Sequence, residues 1–223
     1  MGAAGLHLGA AGPHLGAAGR ADKKWFMISN DSIEPLIPAA RIEERVAELA
    51  RRIQSEHPGG ELVVISVLGG SVIFLADLVR KMKLPIRIDT ISVSSYTGKT
   101  VVPRELKVLK TFSEDVRGKH VLIVDDILDS GATLAAVMRE VSAMEPASLK
   151  SCVFLRKKRP RKNEINPEYV GFEIEDNFVV GYGLDYDGMY RNLPYLAVLK
   201  RGRGNILGSD RSDASDRLDS YIP

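Results

Sequence analysis

One segment constrains this chain more than any other. The apolar run Val121-Leu122-Ile123-Val124 passes directly into Asp125-Asp126-Ile127-Leu128-Asp129-Ser130-Gly131-Ala132-Thr133, and a helical pattern then runs to Met144. A short, unbroken apolar run reads as a strand buried on both faces, and such strands belong in parallel sheets covered by helices. Ligands on these sheets bind beyond the carboxyl ends of the strands. Gly131 is free to take backbone angles that other residues avoid. N–H groups opening a helix point outward at the positive end of its dipole, and the hydroxyls of Ser130 and Thr133 add donors. The combination predicts a cradle for a monophosphate. Asp125 and Asp126, at the strand end, can accept hydrogen bonds from sugar hydroxyls. Asp129, between the sugar and phosphate positions, can accept a proton from a base. The simpler alternative is a polar loop in which Asp129 or Ser130 caps the next helix. A cap, however, has no use for three carboxylates around an apolar pair.

The rest of the chain repeats the alternation of strand and helix. Ile42, Val46, Leu49 and Ile53 share one helical face, with Pro38 near its start and Pro58-Gly59-Gly60 as its stop. Leu62–Val67 reads as a buried strand broken by Gly69-Gly70, Val72–Met82 as a helix, and Ile86–Val93 as a strand. Thr133–Met144 reads as a helix and Ser148–Leu155 as a strand. This order predicts an α/β fold with a mainly parallel central sheet.

Composition narrows the class. The chain has 223 residues, 44% hydrophobic and 27% charged, which suits one domain with at most a small added lobe. A net charge of +2 gives no reason to expect nucleic acid or a membrane as partner. No apolar stretch approaches the roughly 18 residues that span a bilayer. Cys152 is the single cysteine and lies in an apolar run, so it reads as core, without an intrachain disulfide and in keeping with a reducing, cytoplasmic setting. Residues 1–23 carry a repeated Gly/Ala tract with His7 and His14, which cannot bury a core. Met27 is an alternative start. Residues 203–223 are polar and aperiodic. The expected organisation is therefore a tail over 1–23, a domain over 24–202 and a second tail over 203–223.

Two other phosphate motifs fail on inspection. Thr97-Gly98-Lys99-Thr100 resembles the end of a P-loop, but Val93 stands where its first glycine belongs. Paired aspartates after a strand also occur in receiver domains, but that scheme has no use for the Ser130–Thr133 cradle.

The run Val121–Leu134 resembles the signature of type I phosphoribosyltransferases that binds phosphoribosyl pyrophosphate (PRPP). Three further segments, in the same order, are similar to the hypoxanthine-guanine branch, and the likeness extends over roughly Leu36 to Lys200. That resemblance implies the type I fold, a mainly parallel sheet flanked by helices with a small hood lobe. It implies that Asp125 and Asp126 hold the ribose hydroxyls and that Ser130, Gly131, Ala132 and Thr133 hold the 5′-phosphate. It also implies that Gly69 and Gly70 offer N–H groups to pyrophosphate, although Leu68 stands where the family commonly has Lys or Arg. Ser95 and Tyr96 open a segment similar to the family's mobile loop. Phe178 is implied to stack on the purine, Val179 to read its edge through the main chain, and Arg191 to bind pyrophosphate. Lys157 is implied to donate to the purine O6, the register from Phe154-Leu155 favouring it over Lys158. Asp185 is implied to join Asp125 and Asp126 in holding Mg²⁺.

The implied activity is purine salvage: transfer of phosphoribose from PRPP to N9 of a 6-oxopurine, with Asp129 as the group that takes the N7 proton. A homodimer or homotetramer is implied. Two alternatives stay open: a regulatory protein that senses nucleotides with the same cradle, and an enzyme for xanthine or a pyrimidine. Phe178 as plain core, and the run Arg156–Arg159 as a solvated charge cluster, also stay open.

Overall fold

Buried parallel strands dominate the architecture because their sequences are apolar on both faces. The computed structural model describes residues 32–95, 106–110, 112–161 and 165–200. Residues 1–23, Tyr96 and residues 203–223, on which expectations were placed above, lie outside them.

The elements are β1 (Ser32–Ile37), α1 (Ala39–Glu56), β2 (Leu62–Leu68), α2 (Ser71–Arg80), β3 (Ile86–Ser95), β4 (Leu106–Lys110), β5 (His120–Leu128), α3 (Ala132–Ser142), β6 (Ser148–Lys157), β7 (Tyr169–Ile174), β8 (Val179–Val180) and β9 (Leu196–Lys200). Six strands form the main sheet in the order β4-β3-β2-β5-β6-β7, and β1-β9-β8 form a small second sheet. The main sheet is parallel except where β4 returns against β3. The expected α/β fold, with its small lobe, is what the chain adopts.

Alternation along the central strands shows why helices must cover both faces. Leu62 and Val64 of β2 pack with Ile42, Val46 and Leu49 of α1 and Phe74 and Leu78 of α2. Val63, Ile65 and Val67 face the other way, onto Leu134, Val137 and Val141 of α3. The β5 side chains divide in the same manner, Leu122 and Val124 against Val121 and Ile123. Each such side chain, fully buried, contributes about 1.5–3 kcal/mol.

The strand order also places the ligand site. The connection leaving β2 crosses to β3 on one side, whereas the connection leaving β5 crosses to β6 on the other. The order therefore reverses between β2 and β5. Helix α2 follows β2 on one face and α3 follows β5 on the opposite face. A crevice opens at such a switch point, beyond the carboxyl ends of both strands.

At the far side of the sheet, β7 depends on one close approach. A Cβ on Gly171 would overlap the Phe154 carbonyl oxygen of β6, with the carbonyl carbon 3.1 Å away, and backbone cannot move aside. Arg45 of α1 further ties this segment down, Nε donating to Gly171 O at 2.8 Å and Nη2 to Val170 O at 2.9 Å. Gly171→Ala is expected to cost about 1–3 kcal/mol by overpacking and to lower Tm by roughly 3–10 °C. A thermal melt that matches the wild type would contradict this.

Candidate active site

The structure corrects the length of β5. It continues to Leu128 rather than stopping at Val124, because β6 stays alongside through Ile127↔Leu155 and Leu128↔Arg156. Asp125 and Asp126 are thus strand residues with fixed backbones. Asp125 is buried and Asp126 partly so, and the Asp126 N–H donates to Asp125 Oδ1 at 3.0 Å. Burial pushes the Asp125 carboxyl well above the usual aspartate range, and the Asp126 charge beside it adds to the effect. Burial raises Asp126 as well.

The turn from β5 to α3 takes the form of a phosphate cradle. Gly131 sits at φ +79°, the left-handed region, which few residues other than glycine occupy without strain. Ser130 Oγ accepts from the Ala132 N–H at 3.3 Å. Helical bonding begins with Ala135 N–H to Gly131 O at 3.0 Å. The N–H groups that precede it are those every helix leaves over at its start.

Across the crevice, the β2–α2 turn brings a third group of residues to the site. A cavity of about 280 Å³ is bounded by Leu68, Gly69, Gly70, Asp125, Asp126, Asp129, Ser130, Gly131 and Thr133, together with Val67, Val93, Ile127, Leu128 and Leu134. The apolar members form its walls. Arg191 lies over the turn, its Nη2 3.6 Å from where a Gly69 Cβ would be. Its guanidinium is held by Gly183 O at 2.6 Å and Asp185 Oδ1 at 2.7 Å. Leu68, the residue that departs from the family pattern, is 38% exposed.

Asp185 thus stands with Arg191. Among the described residues, no three His, Cys, Asp or Glu side chains form a group that could hold a metal by themselves. The adjacent Asp125–Asp126 carboxylates do fit Mg²⁺, which commonly takes one or two carboxylates plus phosphate oxygens of a substrate.

Lys157 is the last residue of β6, and the strand's register turns it inward while Lys158 is exposed and pairs with Glu175. Lys157 Nζ lies 3.3 Å from Asp129 Oδ2 and 3.2 Å from Asp176 Oδ1. Arg159 Nη1 bridges the same two carboxylates, at 2.9 Å and 3.4 Å. Arg159 and Asp176 were not singled out from the sequence. Arg159 lay inside a basic run that reads as solvated, and nothing local shows that the run folds back onto Asp129.

Phe178 is 50% exposed, its ring edge-on to Tyr186 at 5.7 Å, so it is not a core residue. Val179 is buried in β8 opposite Val198. Ser95 ends β3. Cys152 is fully buried, and burial pushes its thiol up, as expected of core and not of a nucleophile. A larger groove of about 590 Å³ lies along α1 and α2, where Lys81 pairs with Glu43 and Arg80 with Asp77, and it reaches Arg191 at one end.

Comparison with known proteins agrees with this geometry. The model of the phosphoribosyl transferase domain matches residues 36–187. A hypoxanthine phosphoribosyltransferase of Salmonella typhimurium is 45% identical over 167 residues, 74% of this chain and 94% of that protein. A hypoxanthine-guanine phosphoribosyltransferase of Mycobacterium avium is 42% identical over 170 residues, 74% of this chain and 84% of its own. The crystal structure of a hypoxanthine-guanine phosphoribosyltransferase from Bacillus anthracis superposes with a TM-score of 0.71 at 42% identity, covering 77% of this chain and all of that one. No helix among the described residues is long and apolar enough to cross a membrane. On sequence, fold and the placing of its crevice, the chain belongs to the type I phosphoribosyltransferases, in their hypoxanthine-guanine branch.

Proposed function

We propose that the enzyme transfers the 5-phosphoribosyl group of PRPP to N9 of hypoxanthine or guanine, releasing IMP or GMP and pyrophosphate. The observation that carries this reading is the meeting, in one crevice, of the glycine turn, the carboxylate pair, the phosphate cradle and the Asp129–Lys157 pair. The 5′-phosphate sits on Ser130, Gly131, Ala132 and Thr133, the ribose hydroxyls on Asp125 and Asp126. Arg191 and the N–H groups of Gly69 and Gly70 receive the leaving pyrophosphate. As the bond to pyrophosphate breaks, C1′ gains positive charge and the purine N9 attacks it, while Asp129 takes the N7 proton. Lys157 donates to O6, and Phe178 offers its exposed face to the ring. Closure of the segment at Ser95 and Tyr96 excludes water from the cation. Mg²⁺, held by Asp125 and Asp126, would neutralise charge on the pyrophosphate oxygens.

A lysine donor at O6 also sets specificity. Adenine presents an amino donor at that position, so Lys157 would face it without an acceptor, a mismatch that sites of this kind reject strongly. We further propose a cytoplasmic enzyme with its catalytic domain over 24–202 and tails over 1–23 and 203–223. Homodimers or homotetramers fit the exposed apolar side chains of Leu68, Val72 and Ile73. The test is a spectrophotometric assay with PRPP and Mg²⁺ against hypoxanthine, guanine, xanthine and adenine in turn. Turnover with hypoxanthine or guanine and none with adenine is expected. Tight PRPP binding without turnover of any base would replace the enzyme with a nucleotide sensor.

A further inference from the structure

We infer that Arg161 is a positioning residue that sets the spacing between the two side chains meeting the purine, Lys157 and Asp129. The inference rests on the function proposed above. Leu128↔Arg156 is the last pair of the β5–β6 ladder, and Asp129 and Lys157 both lie one residue past it. Arg161 reaches back across this gap. Its Nε donates to Asp129 O at 3.0 Å, and Nη2 donates to Leu128 O at 3.4 Å and also to Lys157 O. One planar guanidinium thus joins the end of β5 to the end of β6 where the ladder no longer does. Its donors are arranged in a fixed fork, so the joint is rigid.

The other link between the two residues cannot do this during turnover. Lys157 Nζ and Asp129 Oδ2 are paired at 3.3 Å. That pair must loosen when Lys157 turns to O6 and Asp129 to N7. The hydrogen bonds of Arg161 among the described residues go to main-chain oxygens, whose charge and position do not change as the base arrives. The carbonyl clasp therefore persists through the reaction while the side-chain pair opens. The ribose and phosphate groups are held separately, by β5 and by the first turn of α3, so Arg161 acts on the base and not on PRPP.

Steady-state kinetics of Arg161→Gln and Arg161→Lys, beside the wild type, test this, with a thermal melt of each. Misplacement of reacting groups by about 1 Å can cost on the order of 10²-fold, so kcat of Arg161→Gln should fall by about 10- to 100-fold with a raised KM for the base. The KM for PRPP should stay within about threefold, and Arg161→Lys should recover part of kcat. Three results would overturn the inference: kcat and base KM of Arg161→Gln within about twofold of wild type, equal rises in both KM values, or an unfolded Arg161→Gln beside a fully active Arg161→Lys. An unfolded Arg161→Gln beside a folded Arg161→Lys with the same split between base and PRPP supports it. A wild type without turnover overturns the parent reading and this one with it, whereas an active wild type beside unaffected variants overturns this one alone.

Discussion

Gly70→Ala is expected to remove measurable turnover while leaving the chain folded. Gly70 has φ −71° and ψ −28°, angles that alanine adopts readily, so backbone strain is not the cause. Space is the cause. A Cβ there would overlap Asp126 Oδ2, with Asp126 Cγ at 2.8 Å and Gly183 O at 3.1 Å. The Asp126 carboxylate would have to leave its place in the ribose site. Gly183 cannot retreat easily, since it takes φ +98° and its own carbonyl accepts from Arg191 Nη1 at 2.6 Å. One methyl group therefore displaces Asp126, Gly183 and Arg191 together. The loop's N–H groups and the pyrophosphate cation move as a unit, and overpacking adds about 1–3 kcal/mol of strain. PRPP affinity, measured by calorimetry, should fall by about 100-fold or more, equivalent to roughly 2.8 kcal/mol. Unchanged affinity would show that the turn does not touch the phosphates.

The second large effect is expected at Asp129. Asparagine keeps the size of the side chain but cannot take a proton, and general acid–base groups contribute about 10²- to 10⁴-fold. Asp129→Asn should therefore lower kcat by about 100-fold or more and leave KM for PRPP within a few-fold. Stability should hardly change. The Asp129 side chain is 43% exposed, and its pairs with Lys157 and Arg159 are partly solvated, a setting in which ion pairs contribute about 0–1 kcal/mol each. A folded Asp129→Asn with near-normal kcat would remove the acid–base role and leave Asp129 as a residue that only orders Lys157 and Arg159.

Legibility followed the range of the interactions involved. Leu62–Val67 and Val121–Val124 were readable as buried strands because their apolar character is local. The glycine at position 131 was readable because a tight turn into a helix places its demand on one residue. β1, β4, β7, β8 and β9 were not read as strands. β8 has only two residues, and the chain around β7 and β9 carries no alternation strong enough to stand out. The true end of β5 was also hidden, since pairing with β6 some thirty residues later carries it on to Leu128.

The sequence by itself determined the α/β class, the position of the phosphate cradle and the chemistry of Asp125, Asp126 and Asp129, because each depends on residues adjacent in the chain. Only the tertiary structure decided that Asp185 pairs with Arg191, that Gly70 must lack a side chain for the sake of Asp126, and that Arg159, Asp176 and Arg161 close around Asp129. Those contacts join residues between 6 and 56 positions apart. Their partners are chosen by where the β5–β6 ladder ends and how the loops beyond it pack, which no local pattern records.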